Sequence, residues 1–350
     1  MKWLWVPAVM CVAIAMLAGC TEVVDGDSRS VKPGAQSTAT DMTSTPPRPS
    51  YRDKLDPTTR QYLAHFDEVR GIDSCALIDP AIVGRFGEIK SFGGFGDRCA
   101  VAYRDPSLDL PPPGQPKPPT PTFGSIGFGA REVAVPSERE KAALSMCDFW
   151  VESGWVDPNG RPEYVKYTFS QPGLSGPGGG AALCPLARPV IDASREFAKS
   201  KAPLASSTRS TLTKLMTLDP CAALNEVGRD RSIEVLVGGK SPFGADDPTR
   251  CLFRDLGETT TDDIESIAFR MLGTRDMAYD GQPNANILGV PTYFKAKACS
   301  YIALVGNDKP VPGPFEQTWV AAITTDMARG KNCAVAEKNI TAAVRAYQQS

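Results

Sequence analysis

Eight cysteines form two matched sets of four, and their type and spacing point more clearly to chemistry than any other residues do. The gaps between successive members are 24, 48 and 37 residues in the first set and 30, 48 and 34 in the second. A spacing that recurs in this way indicates two copies of one four-cysteine unit. The members are Cys75, Cys99, Cys147 and Cys184, then Cys221, Cys251, Cys299 and Cys333.

The residues around the cysteines repeat as well. Asp73-Ser74-Cys75-Ala76-Leu77 in the first copy corresponds to Asp219-Pro220-Cys221-Ala222-Ala223 in the second. In the same way, Phe95-Gly96 precedes Cys99 and Phe243-Gly244 precedes Cys251. The two copies therefore account for the chain from about residue 60 to residue 350.

The first 20 residues have the layout of an export signal. Lys2 supplies a positive charge, residues 3–18 form an apolar run, and small residues follow at the cleavage site. The run is too short to span a membrane as a helix. Leu17-Ala18-Gly19-Cys20 resembles the lipobox of bacterial lipoproteins. This resemblance implies that residues 1–19 are a lipoprotein signal peptide and that Cys20 becomes an N-terminus acylated by chains such as palmitate. The alternative is an ordinary signal peptide with an incidental cysteine.

Residues 20–50 are expected to be a disordered tether that carries the lipid on Cys20. The segment is rich in Ser, Thr, Pro, Gly and Ala and has almost no large apolar side chain. Such a segment cannot bury enough apolar surface to offset the entropy lost on ordering. We expect the lipid to attach the protein to the extracytoplasmic side of the cell membrane, with the folded part held away from it.

An exported chain with an even number of cysteines is expected to form disulfides. Four cysteines allow three pairings in each copy. The 48-residue gap between the second and third cysteines is constant, whereas the outer gaps differ, and this favours sequential pairing. Zinc is the alternative, but the chain has no Cys-x-x-Cys pair and one histidine, so neither a metal nor a cofactor is expected. The expected bonds are Cys75–Cys99, Cys147–Cys184, Cys221–Cys251 and Cys299–Cys333.

No supported catalytic constellation emerges from the other reactive residues, and the chain is therefore not expected to be an enzyme. His65 is the single histidine, no nucleophile is placed near it, and it is interpreted as a surface residue of a helix. Asp246-Asp247 and Asp262-Asp263 with Glu265 are dense acidic groups that are interpreted as solvated loops. A glycosidase would need two such carboxylates facing one cleft.

Trp155 is the best candidate for a ligand or partner contact. In the alignment of the two copies it corresponds to Asn307, and it lies in a segment expected to be a loop before Asp157-Pro158-Asn159-Gly160. A tryptophan that only one copy has, in a loop, is a candidate for recognition. Partial burial against its own loop is the alternative.

The elements that must position these residues are short strands at the cysteines, together with helices. Apolar side chains at Tyr62, Phe66 and Val69 predict a helix that begins at Pro57. A further helix is expected to begin beside Cys184 and another beside Cys333. Strands are expected at residues 99–103, 125–128, 147–151 and 164–169, and at 251–253, 266–271, 299–305 and 319–324.

These elements predict two α+β domains, at residues 51–203 and 204–350, each an antiparallel sheet packed against helices and holding two disulfides. Each domain is long enough to bury its own core. Net charge is −2 and the pI is about 5.7, with both signs interspersed, so nucleic acid is not an expected partner.

The lipobox, the tether and the Asp-Pro-Cys-Ala-x-Leu opening resemble secreted actinobacterial lipoproteins that carry a cysteine-containing domain of unknown function. This chain would hold a tandem pair of such domains, although Ser74 replaces the usual proline in the first. The resemblance implies attachment to the outer face of the cytoplasmic membrane and provides no catalytic residues. The pattern is also similar to extracytoplasmic sensor domains of mycobacterial kinases, as an analogy of fold alone.

The expected function is therefore non-enzymatic binding or sensing at the cell envelope. The ligand would be a small molecule, a lipid, a cell-wall fragment or a partner protein. Two alternatives stay open: an envelope glycan or lipid hydrolase that uses carboxylates, and a structural or assembly lipoprotein.

Overall fold

The computed structural model describes residues 50–350 except 86, 96–97, 105–122, 133–139, 143–145, 171–178, 241–246, 274–280, 308, 313–317 and 328–332. The expected signal peptide, Cys20 and nearly all of the tether lie outside the described residues. Ser50 is described, and its side chain caps a 3-10 turn at Tyr51–Lys54, so residue 50 already belongs to the folded part.

The first half of the folded part, up to residue 199, is built on a six-stranded sheet. Its strand order is β1-β2-β3-β6-β5-β4, and every neighbouring pair is antiparallel. The strands are β1 (Glu88–Phe95), β2 (Arg98–Arg104), β3 (Phe123–Glu132), β4 (Glu140–Ala142), β5 (Met146–Val156) and β6 (Pro162–Ser170).

The second half, from residue 219, repeats this topology in an eight-stranded sheet. Its order is β10-β11-β12-β14-β9-β8-β7, and β13 pairs separately with β14. Strands β7, β8, β9, β14, β12 and β11 thus follow the order of β1, β2, β3, β6, β5 and β4. They are β7 (Ile233–Val235), β8 (Arg250–Asp255), β9 (Glu265–Gly273), β10 (Ala285–Ile287), β11 (Val290–Lys295), β12 (Ser300–Ala303), β13 (Val311–Pro312) and β14 (Thr318–Met327).

Five α-helices accompany the sheets in the described residues: α1 (Pro57–Arg70), α2 (Pro80–Val83), α3 (Gly179–Ser194), α4 (Leu224–Val227) and α5 (Cys333–Gln349). Helix α3 covers the first sheet with side chains such as Leu183 and Val190. Helix α5 covers the second sheet with side chains such as Ile340 and Val344. The expected α+β class with antiparallel sheets is therefore confirmed.

Helix α3 does not begin where the sequence indicated. It begins at Gly179 rather than beside Cys184, so that Cys184 lies within the helix together with Pro185 and Pro189. Packing of Leu183 and Ala187 against the first sheet explains why the helix extends over this poor helix-forming segment.

All eight cysteines of the folded part are in disulfides, and the bonds agree with sequential pairing. Cys75–Cys99 and Cys221–Cys251 attach a turn to strands β2 and β8, while Cys147–Cys184 and Cys299–Cys333 attach helices α3 and α5 to their sheets. Loops of this length stabilise the fold by about 3–4 kcal/mol per bond in the chain-entropy model.

The turn at the first cysteine is built in the same way in both halves. Asp73 Oδ1 accepts a hydrogen bond from the backbone N–H of Cys75 at 2.9 Å. Asp219 Oδ1 accepts the equivalent bond from Cys221, also at 2.9 Å. The repeated Asp-x-Cys motif is thus a local cap that orients the first cysteine of each half towards its strand.

Helix α1 precedes the first sheet in the chain but packs into the core of the second half. Its buried side chains Tyr62, Leu63 and Phe66 share a hydrophobic cluster with Phe253 and Ile323 of the second sheet. A separate cluster formed by α3 and the first sheet does not include them. The second half therefore acquires a helix from outside its own stretch of sequence.

The connector, residues 200–218, lies against the first half for part of its length. The N–H of Leu204 donates to the carbonyl of Gly71 at 2.8 Å, and the N–H of Thr211 donates to the carbonyl of Gly94 at 2.7 Å. Residues 204–211, which we expected to open the second domain, are thus bonded to the first half. The exact domain boundary stays a prediction.

Candidate functional site

The junction between the two halves is organised around helix α1. Local signals begin this helix: the Asp56 side chain accepts from the N–H of Thr59 at 2.9 Å, and Pro57 occupies the first turn. One face of α1 enters the core of the second half. Another face meets the hairpin between β5 and β6 of the first half, which brings several predicted residues together.

The second half approaches α1 closely at Gly238. This residue has φ of 68°, and a Cβ atom there would lie 2.6 Å from the Tyr62 ring. Only glycine combines that backbone conformation with the space available. On another turn of the helix, Arg70 Nη1 donates to the carbonyl of Pro248 at 2.8 Å.

A network of Tyr62, Asp157 and Arg161 joins α1 to the hairpin of the first half. The Tyr62 hydroxyl donates to Asp157 Oδ2 at 2.7 Å, and Arg161 Nε donates to the same oxygen at 2.8 Å. Burial, followed by the bond to Asp157, raises the pKa of Tyr62 to about 12. Burial alone would raise the pKa of Asp157, but hydrogen bonds from Tyr62 and Arg161 outweigh it and lower that pKa.

His65 lies one turn further along α1 and is not the surface residue that the sequence indicated. Its Nε2 is 2.7 Å from Glu163 Oε1 on β6, and the two side chains are only 10% and 4% exposed. The histidine therefore forms a second polar link between α1 and the first half. The contact with Glu163 fixes the orientation of the His65 ring. A structural role in joining α1 to β6 is sufficient to explain this contact.

Trp155 lies at the same junction, in the last residues of β5 rather than in a loop. Its ring centroid is 5.9 Å from that of His65, and the Lys201 ammonium lies 4.2 Å from the ring centroid. Trp155 thus packs against α1 and the connector, not only against its own hairpin. The next residue, Val156, is 57% exposed, Lys201 is exposed and Trp155 is half-buried, and we call these three residues the Trp155 rim.

A third polar cluster attaches the start of the folded part to the second half. The Tyr51 hydroxyl donates to Asp219 Oδ2 at 2.5 Å, and Arg52 Nη2 donates to the same oxygen at 2.7 Å. Arg52 also pairs with Asp67 of α1 at 2.7 Å. The backbone N–H of Tyr51 donates to Asn225 at 2.7 Å. These bonds hold residue 50, where the predicted tether ends, beside Asp219.

The acidic groups that the sequence singled out do not form one site in the described residues. Asp246 lies outside them, and Asp247 caps the turn at Thr249. Glu265 is fully buried and pairs with Arg231 at 2.6 Å, and it also accepts from Asn339 at 2.6 Å. Its bonds tie β9 to α5, which is a structural role.

One group of metal-ligand types is found in the part of the chain that the structure describes, and it consists of Glu140, Cys147 and Cys184. The two sulfur atoms are bonded to each other in a disulfide. They are therefore not thiolates, and the group does not offer the ligand set of a zinc site.

A small cleft of about 170 Å³ lies between β4, β5 and α3. Its apolar residues Phe149, Val151 and Ile191 are already almost completely buried, so a ligand would cover little additional apolar surface there. Arg188 at the rim is held by Glu140 in a two-pronged ion pair at 2.7 and 3.0 Å. The cleft is a weaker candidate than the Trp155 rim.

Comparison with known proteins assigns the chain to no family. No protein-family model and no curated protein sequence matches it. Two solved structures align with it over most of their length. One is the di-domain ARO/CYC BexL from the BE-7585A biosynthetic pathway, with 10% identity, 81% of this chain and 91% of that chain covered, and a TM-score of 0.17. The other is the di-domain ARO/CYC StfQ from the steffimycin biosynthetic pathway, with 10% identity, coverage of 80% and 95%, and a TM-score of 0.16. TM-scores this low carry no argument about fold or activity.

Proposed function

We propose that this protein is a lipid-anchored lipoprotein on the extracytoplasmic side of a bacterial cell membrane, where it binds a ligand or a partner protein of the envelope. The observation that best supports this cellular location is that all eight cysteines of the folded part are in disulfides. Such bonds persist in oxidising compartments and are rare in the cytosol. The lipobox-like Leu17-Ala18-Gly19-Cys20 supports the same address independently. No described helix is long and apolar enough to cross a membrane.

The proposed contact is the rim of Trp155, Val156 and Lys201. It combines a partly exposed aromatic ring, an exposed apolar side chain and an ammonium group at the junction of the two halves. Tryptophan side chains in well-packed surroundings are typical of binding hot spots. The networks of Tyr62 and His65 behind the rim provide such surroundings.

The proposed lipid anchoring is tested by replacing the residue that would be acylated. In the native host, a high-salt wash is expected to remove the Cys20→Ala chain from the membrane fraction, because this chain has no acyl anchor, whereas the wild-type chain should stay bound. The measurement is fractionation with detection of the acylated N-terminal peptide by mass spectrometry. Cys11→Ala, in the discarded signal, is the matched control and is expected to change nothing. Wild-type protein without an acylated Cys20 would contradict the proposal.

The binding role is tested by native mass spectrometry of the chain purified from its own envelope. A reproducible added mass that is released on denaturation is expected for a bound small molecule, and a co-purifying chain is expected for a protein partner. The Trp155→Ala variant should lose either species. Retention of the bound species by this variant would contradict the proposed contact.

A further inference from the structure

The connector between the two halves is the most basic stretch of the folded chain. Between Glu196 and Asp219 there are four basic residues, Lys199, Lys201, Arg209 and Lys214, and no acidic residue. The whole chain, in contrast, has a net charge of −2. A local excess of positive charge in a slightly acidic protein creates a surface that attracts anions.

Three of these cations are held on aromatic rings rather than by carboxylates. Lys201 lies 4.2 Å from the Trp155 ring centroid, Arg209 lies 4.7 Å from that of Phe92, and Lys214 lies 4.9 Å from that of Tyr347. All three residues are exposed, and none of them is paired with a carboxylate of the described residues. A cation on a ring keeps its charge available to a partner, whereas an ion pair would neutralise it.

An exposed apolar side chain lies among these cations. Leu212 is 53% exposed and stands between Arg209 and Lys214 in the chain. Phe92 belongs to the first half and Tyr347 to helix α5 of the second, so the basic segment is seated on both halves. Cations beside an exposed leucine are the combination that favours binding at an anionic lipid interface.

The end of the tether lies beside the end of this segment. Asp219 follows Lys214 by five residues and binds both Tyr51 and Arg52, at 2.5 and 2.7 Å. The chain that leads to the lipid on Cys20 therefore enters the folded part next to the connector. The proposed lipid on Cys20 lies 31 positions before Tyr51, and a tether of this length keeps the connector at a raised effective concentration near the membrane surface.

We propose that the connector, through Lys201, Arg209, Lys214 and Leu212, is a docking surface for anionic phospholipid headgroups. This inference rests on the proposed lipid anchoring and adds a second, electrostatic contact with the same membrane. A basic patch adds electrostatic attraction to anionic lipids to the hydrophobic anchoring that acyl chains provide. Docking in this way would set which side of the molecule faces the membrane.

The test uses the non-acylated Cys20→Ala chain, so that the anchor cannot contribute. Its co-sedimentation is measured with vesicles of phosphatidylcholine alone and of phosphatidylcholine with phosphatidylglycerol. Binding is expected only with phosphatidylglycerol, and added salt should weaken it. The triple variant Lys201→Gln, Arg209→Gln, Lys214→Gln should lower the affinity by about a hundredfold, given about 1 kcal/mol for each cation at the surface.

The matched control is Lys297→Gln, Lys309→Gln, Lys338→Gln, which removes the same charge from exposed residues outside the connector. It is expected to keep the affinity within about twofold. Equal losses in both variants, equal binding to both kinds of vesicle, or no binding by the parent chain would each overturn the inference. Binding to soluble polyphosphate but not to vesicles would also overturn it, in favour of an anionic polymer. None of these results bears on acylation of Cys20, which the fractionation experiment tests separately.

Discussion

The two halves of the molecule share a strand order and a disulfide framework, but they differ in the segment that connects two neighbouring strands inside each sheet. In the first half, β5 and β6 are linked by the short hairpin at residues 157–161, which reaches α1. In the second half, the equivalent strands β12 and β14 are separated by a longer segment that contains β13. The second core also contains α1, whereas the first core does not.

The residues of the duplicated framework and those of the junction therefore have different roles. The cysteines, their Asp-x-Cys caps and the strand order are equivalent in both halves. Trp155, Asp157 and Arg161, by contrast, belong to the hairpin that only the first half has. Functional residues are therefore expected among those in which the halves differ, and residues that stabilise the fold among those that the halves share.

The largest expected effect comes from removing an α1 side chain that belongs to the second core. Phe66 is 7% exposed and packs in that core, so Phe66→Ala should lower the free energy of unfolding by about 3–5 kcal/mol. Hydrogen exchange should show the loss of protection mainly in the second half. Val69→Ala, on the same helix but outside that core, is the control. Equal loss of protection in the first half would contradict the assignment of α1 to the second core.

A comparable effect is expected when the first disulfide of either half is removed, and it can be measured for each half separately. Replacing Cys75 and Cys99 by Ala, or Cys221 and Cys251 by Ala, should each cost about 3–4 kcal/mol, because the closed loops span 24 and 30 residues. Each change should destabilise its own half first, as judged by hydrogen exchange. A loss that spreads equally through both halves in each variant would show that the molecule unfolds as one cooperative unit.

The smallest expected effect is a dependence of stability on pH that comes from Asp157 at the junction. The pKa of Asp157 is lowered in the folded state. Its contribution to the free energy of unfolding is therefore complete above the unfolded-state pKa of about 3.9, and it is lost as the pH falls through the folded-state pKa. Denaturant unfolding at a series of acidic pH values should show this loss. Asp157→Asn should flatten the dependence, and Asp262→Asn, an exposed residue in the second half, should leave it unchanged. An unchanged curve for Asp157→Asn would contradict the account.

Local structure could be predicted from the sequence wherever short-range chemistry decides it. Asp56 and Pro57 mark the start of α1, and the spacing of Tyr62 and Phe66 marks its apolar face. The constant gap between the inner cysteines of each set indicated the disulfide pairing. A strand is found at each of the expected places, in β2, β3, β5, β6, β8, β9, β12 and β14, although β12 covers only Ser300–Ala303 of the expected residues 299–305.

What could not be predicted depends on contacts between residues that are distant in the chain. The apolar face of a helix does not indicate which hydrophobic core the helix packs into. Helix α1 packs into the core of the second half, which begins about 150 residues later in the chain. His65 has no neighbour in sequence that could indicate Glu163, which is 98 residues away. Trp155 was expected in a loop because Gly154 precedes it and Asp157-Pro158-Asn159-Gly160 follows it, yet β5 extends to Val156. In each case tertiary packing overrides the local pattern.

Site-specific photo-crosslinking in intact cells tests most directly the claim that the junction is the binding surface. A photoreactive residue is placed at Val156, which is 57% exposed, or at Leu256 in the second half, which is 68% exposed. If the junction is the binding surface, a discrete crosslinked species is expected from position 156, it should be weakened by Trp155→Ala, and no such species is expected from position 256. A discrete species from position 256 alone, or equal yields from both positions, would contradict that claim.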